Sequence, residues 1–597
     1  MTTQISKLLL ALAMIGLVQA AWAQFTCVTN NGAITITKYT GYGAITIPST
    51  TNGWPVLSIG NNAFQNSSVT SVTIPNSVTN IGGSAFYNCH SLTNVAFGSG
   101  VNSIGTYAFS DCTKLASITI PNSVITIGEG AFAGCSGITK IAIGTGMPSI
   151  GNIVFSGCSS LATVTIPNNV TTIGSSAFAN CSHMTNLVIG TGVTSIGNSA
   201  FYQCSYLSSV IIPDAVTNIG NNAFGYCASL RAITVDAQNS VYSSVDGVLF
   251  DKNQTIHILC PGGKFGSFII PNSTTIIAGA AFYRCTRLTS VTIPNSVTQS
   301  LDETFFYCAG LTNVIIGTGV SGIGYQTFYL CTSLTSITIP SNITSIGYQA
   351  FYECYKLSHI TIPDSVTDIG DYAFYDCYNL TNVAIGSGVT NIGSYAFACE
   401  VGYSLKLTSI TIPDGVTAIG DYAFYNCTTL KSIAIGDGVT KIGNNSFYNC
   451  TSLTGITIPK GVTRIGDYAF RNCSSLTAFY FQGNAPDLAT NICYPNILKA
   501  YYLPGTPGWG LDFYWLGYWF EAVLWNPQAT TFNNTGGQFG FNITGPTNAV
   551  LVVEACTNLV NPIWLPMSTN TLTGGVSSFS DSQSSNNPSR FYRFRSP

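Results

Sequence analysis

The chain has 597 residues, of which 46% are hydrophobic and only 7% are charged. Twenty basic and 23 acidic side chains leave a net charge of −3, which is too small to attract nucleic acid or an anionic membrane. The abundance of Ile, Val, Leu and Phe excludes ordinary disorder, whereas a globular core of this size normally comes with about 25% charged residues. The composition therefore predicts a large, neutral, β-rich structure outside the cytoplasm, and it argues against an enzyme.

The first 23 residues are predicted to be a secretory signal peptide. The apolar stretch 8–18 is followed by Ala21-Trp22-Ala23, a small-x-small cleavage pattern. Cleavage after Ala23 would leave Gln24 at the new N-terminus, where a lipoprotein anchor would require a cysteine. No other stretch approaches the ~20 apolar residues that span a bilayer. The mature chain is therefore expected to be secreted or held on a cell surface by contacts.

A repeat of 23 residues dominates the rest of the sequence. Counted at an Ile-Gly pair or its variant, 17 anchors lie between residues 59 and 465, and insertions are predicted near 235–266 and 400–406. One copy is Ile104-Gly105, Ala108-Phe109, Cys112, Leu115 and Ile118-Thr119-Ile120-Pro121. Such regular spacing predicts a repeat architecture rather than a set of separate globular domains.

Each repeat predicts one coil of a solenoid. In Leu407-Thr408-Ser409-Ile410-Thr411-Ile412 the apolar residues end in period-2 alternation, which indicates a short strand with an inward apolar face. Pro413 ends the strand because it cannot donate to the ladder. The Ala-Phe and Cys positions after the Ile-Gly pair are expected to close the coil through a short helical or 3₁₀ turn. Because one coil cannot bury this face alone, the coils are expected to stack on a continuous core.

The pattern L-x-x-I-x-I-P-x-x-V-x-x-I-G-x-x-A-F-x-x-C resembles the BspA-like, or Treponema-type, leucine-rich-repeat family over about residues 34–481. The Gly-Val-Leu-Phe segment at 247–250 is similar to a wider variant of that family's repeat. The resemblance implies a β-rich leucine-rich-repeat solenoid of about 17 coils, of a kind found on bacterial surface proteins. Several such proteins act in adhesion to host proteins or other cells. The family motif contains no catalytic residue, so none is carried over.

The sequence divides into five predicted segments. They are a signal peptide (1–23), an N-terminal capping coil (24–58), the solenoid (59–481), an aromatic C-terminal cap (482–525) and a small β domain of unknown role (526–597). Five of the six tryptophans that follow the signal peptide lie beyond residue 500. The cap is expected to cover the open edge of the sheet, which would otherwise recruit other chains.

Fifteen of the twenty cysteines occupy one repeat slot, three residues after the repeat Phe. We interpret them as a ladder of buried free thiols, because identical positions in parallel coils point the same way; disulfides between coils are the alternative. A linear ladder does not supply converging ligands for zinc. The better disulfide candidates, whose pairing the sequence leaves open, lie outside the slot: Cys27, Cys260, Cys493 and Cys556.

No catalytic, cofactor-binding or metal-binding motif is recognisable. The histidines occupy unrelated positions without an evident acidic partner, and each is expected to be solvated or incidental: His90, His183, His257 and His359. Asp371 recurs two positions after the anchor Ile as Asp421 and Asp467. These carboxylates are expected to cap the turns that follow them, with calcium binding as the alternative.

Tyrosines around the repeat Phe are unevenly distributed. The eight anchors up to residue 219 contribute three such tyrosines, and the nine from residue 277 contribute twelve. These rings either fill the spaces between coils or form an aromatic stripe suited to protein or glycan contact. The outward strand positions are, by contrast, small and similar from coil to coil. The candidate partner-binding residues are therefore Tyr348, Tyr352, Tyr372, Tyr375, Tyr422 and Tyr425.

Two functional hypotheses of different classes follow. The first is a non-enzymatic scaffold that binds a protein or glycan of another cell or matrix, in adhesion at the bacterial surface. The second is a structural envelope or spacer protein without a specific ligand. A carbohydrate-active enzyme ranks third, because it would need paired carboxylates about 5–10 Å apart, for which no motif exists.

Overall fold

The computed structural model describes residues 24–489, 492–493, 499–509, 513–515, 518–535, 538–546, 549–559, 563–584 and 590–595. The predicted signal peptide lies outside the described residues. The chain forms two compact units: the first runs to Ser267 and includes Pro271–Leu288, and the second contains Phe268–Ile270 and the chain from Thr289 onward. The described residues form strands and turns without an α-helix, and none of them belongs to a helix that could cross a membrane.

The first unit begins with two antiparallel strands and continues with two series of short strands, one of each series per coil. The opening strands are β1 (Phe25–Asn30), β2 (Ala33–Tyr39), β3 (Tyr42–Thr46), β4 (Thr50–Thr51) and β5 (Trp54–Ile59). The first series is β6 (Ser68–Thr73), β8 (Asn94–Ala96), β10 (Ser117–Thr119), β12 (Lys140–Ala142), β14 (Thr163–Thr165), β16 (Asn186–Val188), β18 (Ser209–Ile212) and β20 (Ala232–Val235). The second is β7 (Asn80–Ile81), β9 (Ser103–Ile104), β11 (Thr126–Ile127), β13 (Ser149–Ile150), β15 (Thr172–Ile173), β17 (Ser195–Ile196), β19 (Asn218–Ile219) and β25 (Ile276–Ile277).

The insertion near 235–266 forms strands of its own. They are β21 (Tyr242–Val245), β22 (Val248–Asp251) and β23 (Ile256–Leu259), after which β24 (Gly266–Ile269) is again a strand of the first series. β21 and β22 form an antiparallel hairpin, and β22 also pairs with β23. The side chains of Val248, Leu249 and Phe250 are fully buried, so the insertion contributes to the core.

The second unit repeats the two series. The first is β26 (Leu288–Thr292), β27 (Asn313–Ile315), β29 (His359–Ile362), β31 (Asn382–Ile385), β33 (Ser409–Ile412), β35 (Ser432–Ile435), β37 (Gly455–Ile458) and β39 (Ala478–Phe481). The second is β28 (Ser345–Ile346), β30 (Asp368–Ile369), β32 (Asn391–Ile392), β34 (Ala418–Ile419), β36 (Lys441–Ile442), β38 (Arg464–Ile465) and β40 (Asp487–Leu488). The unit ends with β41 (Lys499–Tyr502), β42 (Phe513–Trp515), β43 (Tyr518–Leu524), β44 (Gln528–Thr535), β45 (Gln538–Thr544), β46 (Val550–Cys556), β47 (Leu565–Thr571), β48 (Val576–Asp581) and β49 (Phe591–Arg595).

Successive coils pair in parallel and in register. Ile118 lies opposite Ile141 in the first unit, and Ile369 opposite Ile392 in the second, so equivalent repeat positions are neighbours. In the second unit β28, β30, β32, β34, β36, β38 and β40 form one seven-stranded sheet. This register confirms the leucine-rich-repeat solenoid that the sequence predicts.

The repeat phenylalanines form the centre of each core. From Phe64 to Phe224 the rings stack coil on coil with centroids 4.5–5.6 Å apart. From Phe305 to Phe470 the spacing is 5.1–5.4 Å. All these rings are at most 2% exposed. They are among the largest side chains that each coil buries, beside its Val, Leu and Ile residues.

The segment after each Ile-Gly pair is not helical, which corrects the helical or 3₁₀ turn expected there. Ala373 N donates to Gly370 O, as in a turn, but Tyr372 N and Phe374 N donate to carbonyls of the next coil. A helix would need all these amides for bonds within its own coil. The third residue of this turn, Tyr372, has a φ of 57°, in the left-handed region that type II turns require at that position.

The thiols of the repeat slot donate weak hydrogen bonds to backbone carbonyls of the preceding coil. The Sγ of Cys377 donates to the carbonyl oxygen of Phe351 at 3.2 Å, and Cys354 bonds Phe328 in the same way. Burial raises the pKa of such thiols, to about 12 in Cys181. All twenty cysteines are free, including Cys27 and the other three outside the slot. The slot therefore favours a small apolar residue that also carries a weak donor.

The first-series strand is followed by proline in some coils, such as Pro363, and by glycine in others, such as Gly386. The two kinds of coil largely alternate, which makes a two-coil unit. A Cβ on Gly386, the glycine directly after the strand, would lie 2.5 Å from the carbonyl group of Pro363. A Cβ on Gly388 would lie 1.9 Å from the backbone oxygen of Asp364, so only glycine fits against the preceding turn at either position. The carboxylate of Asp364 accepts the amide of Ser387 at 2.7 Å and holds the two turns together. The alternation in the sequence thus follows from close contact between backbones.

The C-terminal strands form two three-stranded antiparallel sheets, β44-β45-β48 and β47-β46-β49. Their buried side chains, such as Phe541 and Leu551, share one core with Ala478, Tyr480 and Tyr501 of the preceding coils. The amide of Val550 also donates to the hydroxyl of Tyr480 at 3.2 Å. Within the second unit, the small β domain is thus packed directly on the end of the solenoid.

Candidate binding surface formed by stacked tyrosines

The tyrosines of the second unit lie in two rows that run from coil to coil. The outer row, two or three residues before the repeat Phe, is Tyr325, Tyr348, Tyr372, Tyr395 and Tyr422. The inner row, one residue after the repeat Phe, is Tyr329, Tyr352, Tyr375, Tyr425 and Tyr448. All six candidates predicted from the sequence belong to these rows, three to each.

The outer row is a nearly continuous stack. Ring centroids lie 4.7 Å apart between Tyr372 and Tyr395 and 4.4 Å apart between Tyr395 and Tyr422, with parallel planes. Tyr325 and Tyr348 stack at 5.6 Å, whereas Tyr348 meets Tyr372 edge-on at 5.9 Å. Tyr325 is 46% exposed and Tyr348 41%, and the other three are partly buried.

The inner row is interrupted once. Tyr352 stacks on Tyr329 at 4.8 Å and on Tyr375 at 5.0 Å. The next coil has Ala398 at this position, and stacking resumes between Tyr425 and Tyr448 at 5.1 Å. Contacts of 5.6 Å from Tyr372 to Tyr375 and from Tyr422 to Tyr425 connect the two rows. The six candidates therefore belong to one aromatic surface.

Three outer-row tyrosines have an unusual backbone conformation. Tyr372, Tyr395 and Tyr422 have φ values of 57°, 56° and 58°, a region that bulky residues rarely occupy. Asn445 has the same slot and conformation two coils after Tyr395, and Asn is the side chain that tolerates it best after glycine. A tyrosine here costs about 1–2 kcal/mol of backbone strain. Each stacked pair returns about 0.5–1.5 kcal/mol.

The exposed chemistry of the rows is that of neutral hydroxyls. Burial raises the pKa of Tyr395 to about 12 and raises the pKa of Tyr352 and Tyr375 as well. Inside a stack the faces of each ring are covered by the rings of neighbouring coils, so edges and hydroxyls remain for a partner. This arrangement suits hydrogen bonding and edge contact better than the stacking of sugar rings on open aromatic faces.

A third row escaped the sequence analysis. Tyr355, Tyr378 and Tyr403 stack at 5.1 and 4.8 Å, and the first two directly follow the repeat Cys, which is the signal that could have revealed them. The hydroxyls of the first two meet acidic side chains: Tyr355 donates to the partly buried Glu353, and Tyr378 donates to the buried Asp376. Asp376 is 3% exposed, and its burial raises the pKa of the carboxyl to about 6.

The other polar candidates have structural roles. Asp371 accepts the amide of Ser394 at 2.6 Å and Asp421 that of Asn444 at 2.8 Å, so they fix the turn of the next coil. His257 is buried, which corrects the solvated position expected for it, and burial lowers its pKa to about 3. Across the described ranges, no group of three or more His, Cys, Asp or Glu side chains is placed to hold a metal ion.

Comparisons with known proteins point to one family. The family model of the BspA type leucine rich repeat region matches residues 57–181, 131–256, 261–377, 299–402 and 400–506. No curated protein matches the chain.

Similar solved structures are bacterial leucine-rich-repeat proteins. A leucine rich cell surface protein of Faecalibacterium prausnitzii A2-165 is 34% identical, with 61% of this chain and 93% of that chain covered and a TM-score of 0.48. A leucine-rich repeat protein of Bacteroides ovatus is 23% identical, with 77% and 98% covered and a TM-score of 0.44.

Proposed function

Since this chain belongs to the BspA-type leucine-rich-repeat family, we propose that it is an exported, non-enzymatic scaffold that binds a partner at the bacterial cell surface. The predicted signal peptide supports export, and the repeat motif supplies no catalytic residue. We place the partner-binding surface on the two tyrosine rows, centred on the six candidates named above. The partner is a protein with hydrogen-bond acceptors on its surface, and the activity is adhesion.

The observation that carries this proposal is the left-handed tyrosine in three successive coils. Two stacking contacts per ring return roughly the energy that the strained backbone costs. The packing energy therefore gives little reason for tyrosine at this position, which Asn445 occupies in a neighbouring coil. A partner that uses the hydroxyls and ring edges supplies the missing reason, since tyrosine offers large contact area at low entropic cost.

The test replaces Tyr372, Tyr395 and Tyr422 together by asparagine. Because asparagine tolerates the left-handed conformation, the variant is expected to fold and to melt within a few degrees of the wild type. Binding to intact bacterial and epithelial cells and to purified matrix proteins is measured by flow cytometry and surface plasmon resonance. The proposal expects binding by the wild type and at least about tenfold weaker binding by the variant, because interface tyrosines are frequent hot spots.

A matched control exists in the first unit. Tyr107 has the same slot, a φ of 53° and an exposed ring, but it belongs to neither row. Tyr107→Asn is expected to leave binding unchanged. If the triple variant binds as the wild type does, the rows are packing elements; if the wild type binds none of these surfaces, the alternative of a structural envelope protein without a ligand is favoured.

A further inference from the structure

A groove in the second unit, separate from the tyrosine rows, has the chemistry of a binding site. It encloses about 610 Å³ between the C-terminal β domain and the outward face of strands β33, β35, β37 and β39. We call it the polar groove. Six hydroxyl side chains line its floor: Ser409, Thr411, Ser432, Thr454, Thr457 and Thr477. In the sequence this face is small and similar from coil to coil, and nothing in the repeat indicates that another domain covers one side of it.

The floor hydroxyls form a regular lattice. Ser409 and Thr411 are two residues apart on one strand, about 6.6 Å, and Ser409 lies opposite Ser432 on the adjacent strand, about 4.8 Å away. A lattice of donors and acceptors at these spacings suits a polymer that is itself dense in hydroxyl groups. A peptide would need apolar pockets for successive side chains along its length, whereas this floor offers small polar groups and its apolar pocket lies at one end.

Two cations flank the groove. Lys431 interrupts a slot that holds a threonine in neighbouring coils, Thr408 and Thr454, and its side chain is exposed. Arg595, 43% exposed at its side chain, lines the opposite wall and shares the buried Glu554 with Arg593. Two guanidinium groups therefore meet one carboxylate. Among the described residues that line the groove, no carboxylate offsets Lys431.

One end of the groove is apolar. A smaller pocket of about 220 Å³ shares Tyr480, Gln482 and Arg595 with it and is otherwise lined mainly by apolar and aromatic side chains, including Trp525. The indole Nε1 of Trp525 is buried and has no hydrogen-bond partner in the described part of the chain.

We propose that the polar groove binds an acidic glycan, with sugar hydroxyls on the Ser/Thr floor and a carboxylate between Lys431 and Arg595. The apolar end accepts one sugar substituent beside Trp525. This site does not depend on the tyrosine rows, and binding at one surface can be lost while binding at the other persists.

The test measures binding of the full mature chain to polygalacturonate, a polymer of uronic acids, at low and physiological salt. Wild type is expected to bind it, more weakly at higher salt, and not to bind the neutral polymer dextran. Lys431→Thr restores the residue of the neighbouring coils, so the variant is expected to fold as the wild type does. It should weaken binding about fivefold, the upper range for an exposed ion pair. Adding Arg595→Gln should abolish binding.

Two controls keep the outcome decisive. Lys441→Ala removes a cation of the same unit outside the groove, and the triple tyrosine variant removes the other surface; both should bind polygalacturonate as the wild type does. Absence of binding by the wild type, or equal binding by Lys431→Thr, overturns the proposal. Poly-glutamate bound as tightly as polygalacturonate also overturns it, since the groove would then be a site for acidic peptides.

Discussion

The buried carboxyl of Asp376, in a coil that carries the tyrosine rows, allows a direct test of how burial of a charge affects the free energy of unfolding. Its carboxyl is 3% exposed, accepts the amide of Glu400 at 2.7 Å and lies near the carboxylates of Glu353 and Glu400. Burial, followed by these neighbouring charges, raises its pKa in the folded state to about 6 from 3.8, although hydrogen bonds from Glu400 and Tyr378 act in the opposite direction. The folded protein therefore holds the proton of Asp376 more tightly than the unfolded chain does.

The sign of the pH dependence follows. The stabilising contribution of protonated Asp376 is complete below about pH 4 and is lost as the pH rises through about 6. The difference between the two pKa values corresponds to at most about 3 kcal/mol at pH 7. Asn426 occupies the equivalent position of a nearby coil, with a φ of 61° and its amide donating to the carbonyl of Cys399. Asparagine is thus compatible with the slot.

Asp376→Asn should therefore be more stable than the wild type at pH 7, by about 1–3 kcal/mol, and of equal stability near pH 4. Guanidinium unfolding midpoints measured from pH 4 to pH 8 provide the comparison. Asp371→Asn, which removes an exposed carboxylate from the same coil, controls for the change in net charge. A stability difference that does not change with pH, or a variant that is weaker at pH 7, would refute the reasoning.

Three further predictions concern the packing of the coils. Phe374→Ala should lower the free energy of unfolding by about 3–5 kcal/mol through a core cavity, and a melting curve like that of the wild type would show that the ring does not face inward. Gly388→Ala should cost about 1–3 kcal/mol, because its Cβ would clash with the carbonyl of Asp364; an unchanged unfolding midpoint would contradict that contact. Mature protein unfolded without reductant should titrate with most of its twenty cysteines free, and nearly complete oxidation would overturn the thiol ladder.

The sequence predicts the features of the fold that recur in every coil. Period-2 alternation at Ile410 and Ile412 gives the strand, the proline after it ends the strand, and the regular Phe and Cys positions indicate the buried ladder. Each prediction depends only on contacts between equivalent positions, so 23-residue periodicity is sufficient evidence. The six candidate tyrosines can be identified from the same periodicity, because their positions are defined relative to the repeat Phe.

The features that the sequence does not reveal arise where a coil differs from its neighbours. Composition gives no reason to expect a left-handed Tyr372, since propensity favours Asn or Gly at that conformation. The hydrogen bond from Val550 to Tyr480 joins residues 70 positions apart and outside any repeat, so no periodicity announces it. His257 is buried for a similar reason, since the insertion that carries it packs into the core.

The distribution of the tyrosines can be compared with the distribution that packing alone would produce. A ring in the outer row gains stacking energy only if the adjacent coil also carries one, so packing predicts uninterrupted runs. The row from Tyr325 to Tyr422 fits that expectation, but Tyr468 does not: it is left-handed, the preceding coil carries Asn445, and Arg471 contacts its ring at 5.0 Å. Among the described residues, its ring therefore contacts a cation and not a stacked tyrosine. Stacking between tyrosines does not account for this exception, whereas the proposed contact surface does. Tyr107 of the first unit is also left-handed and outside the rows, and its replacement by asparagine is therefore the necessary control.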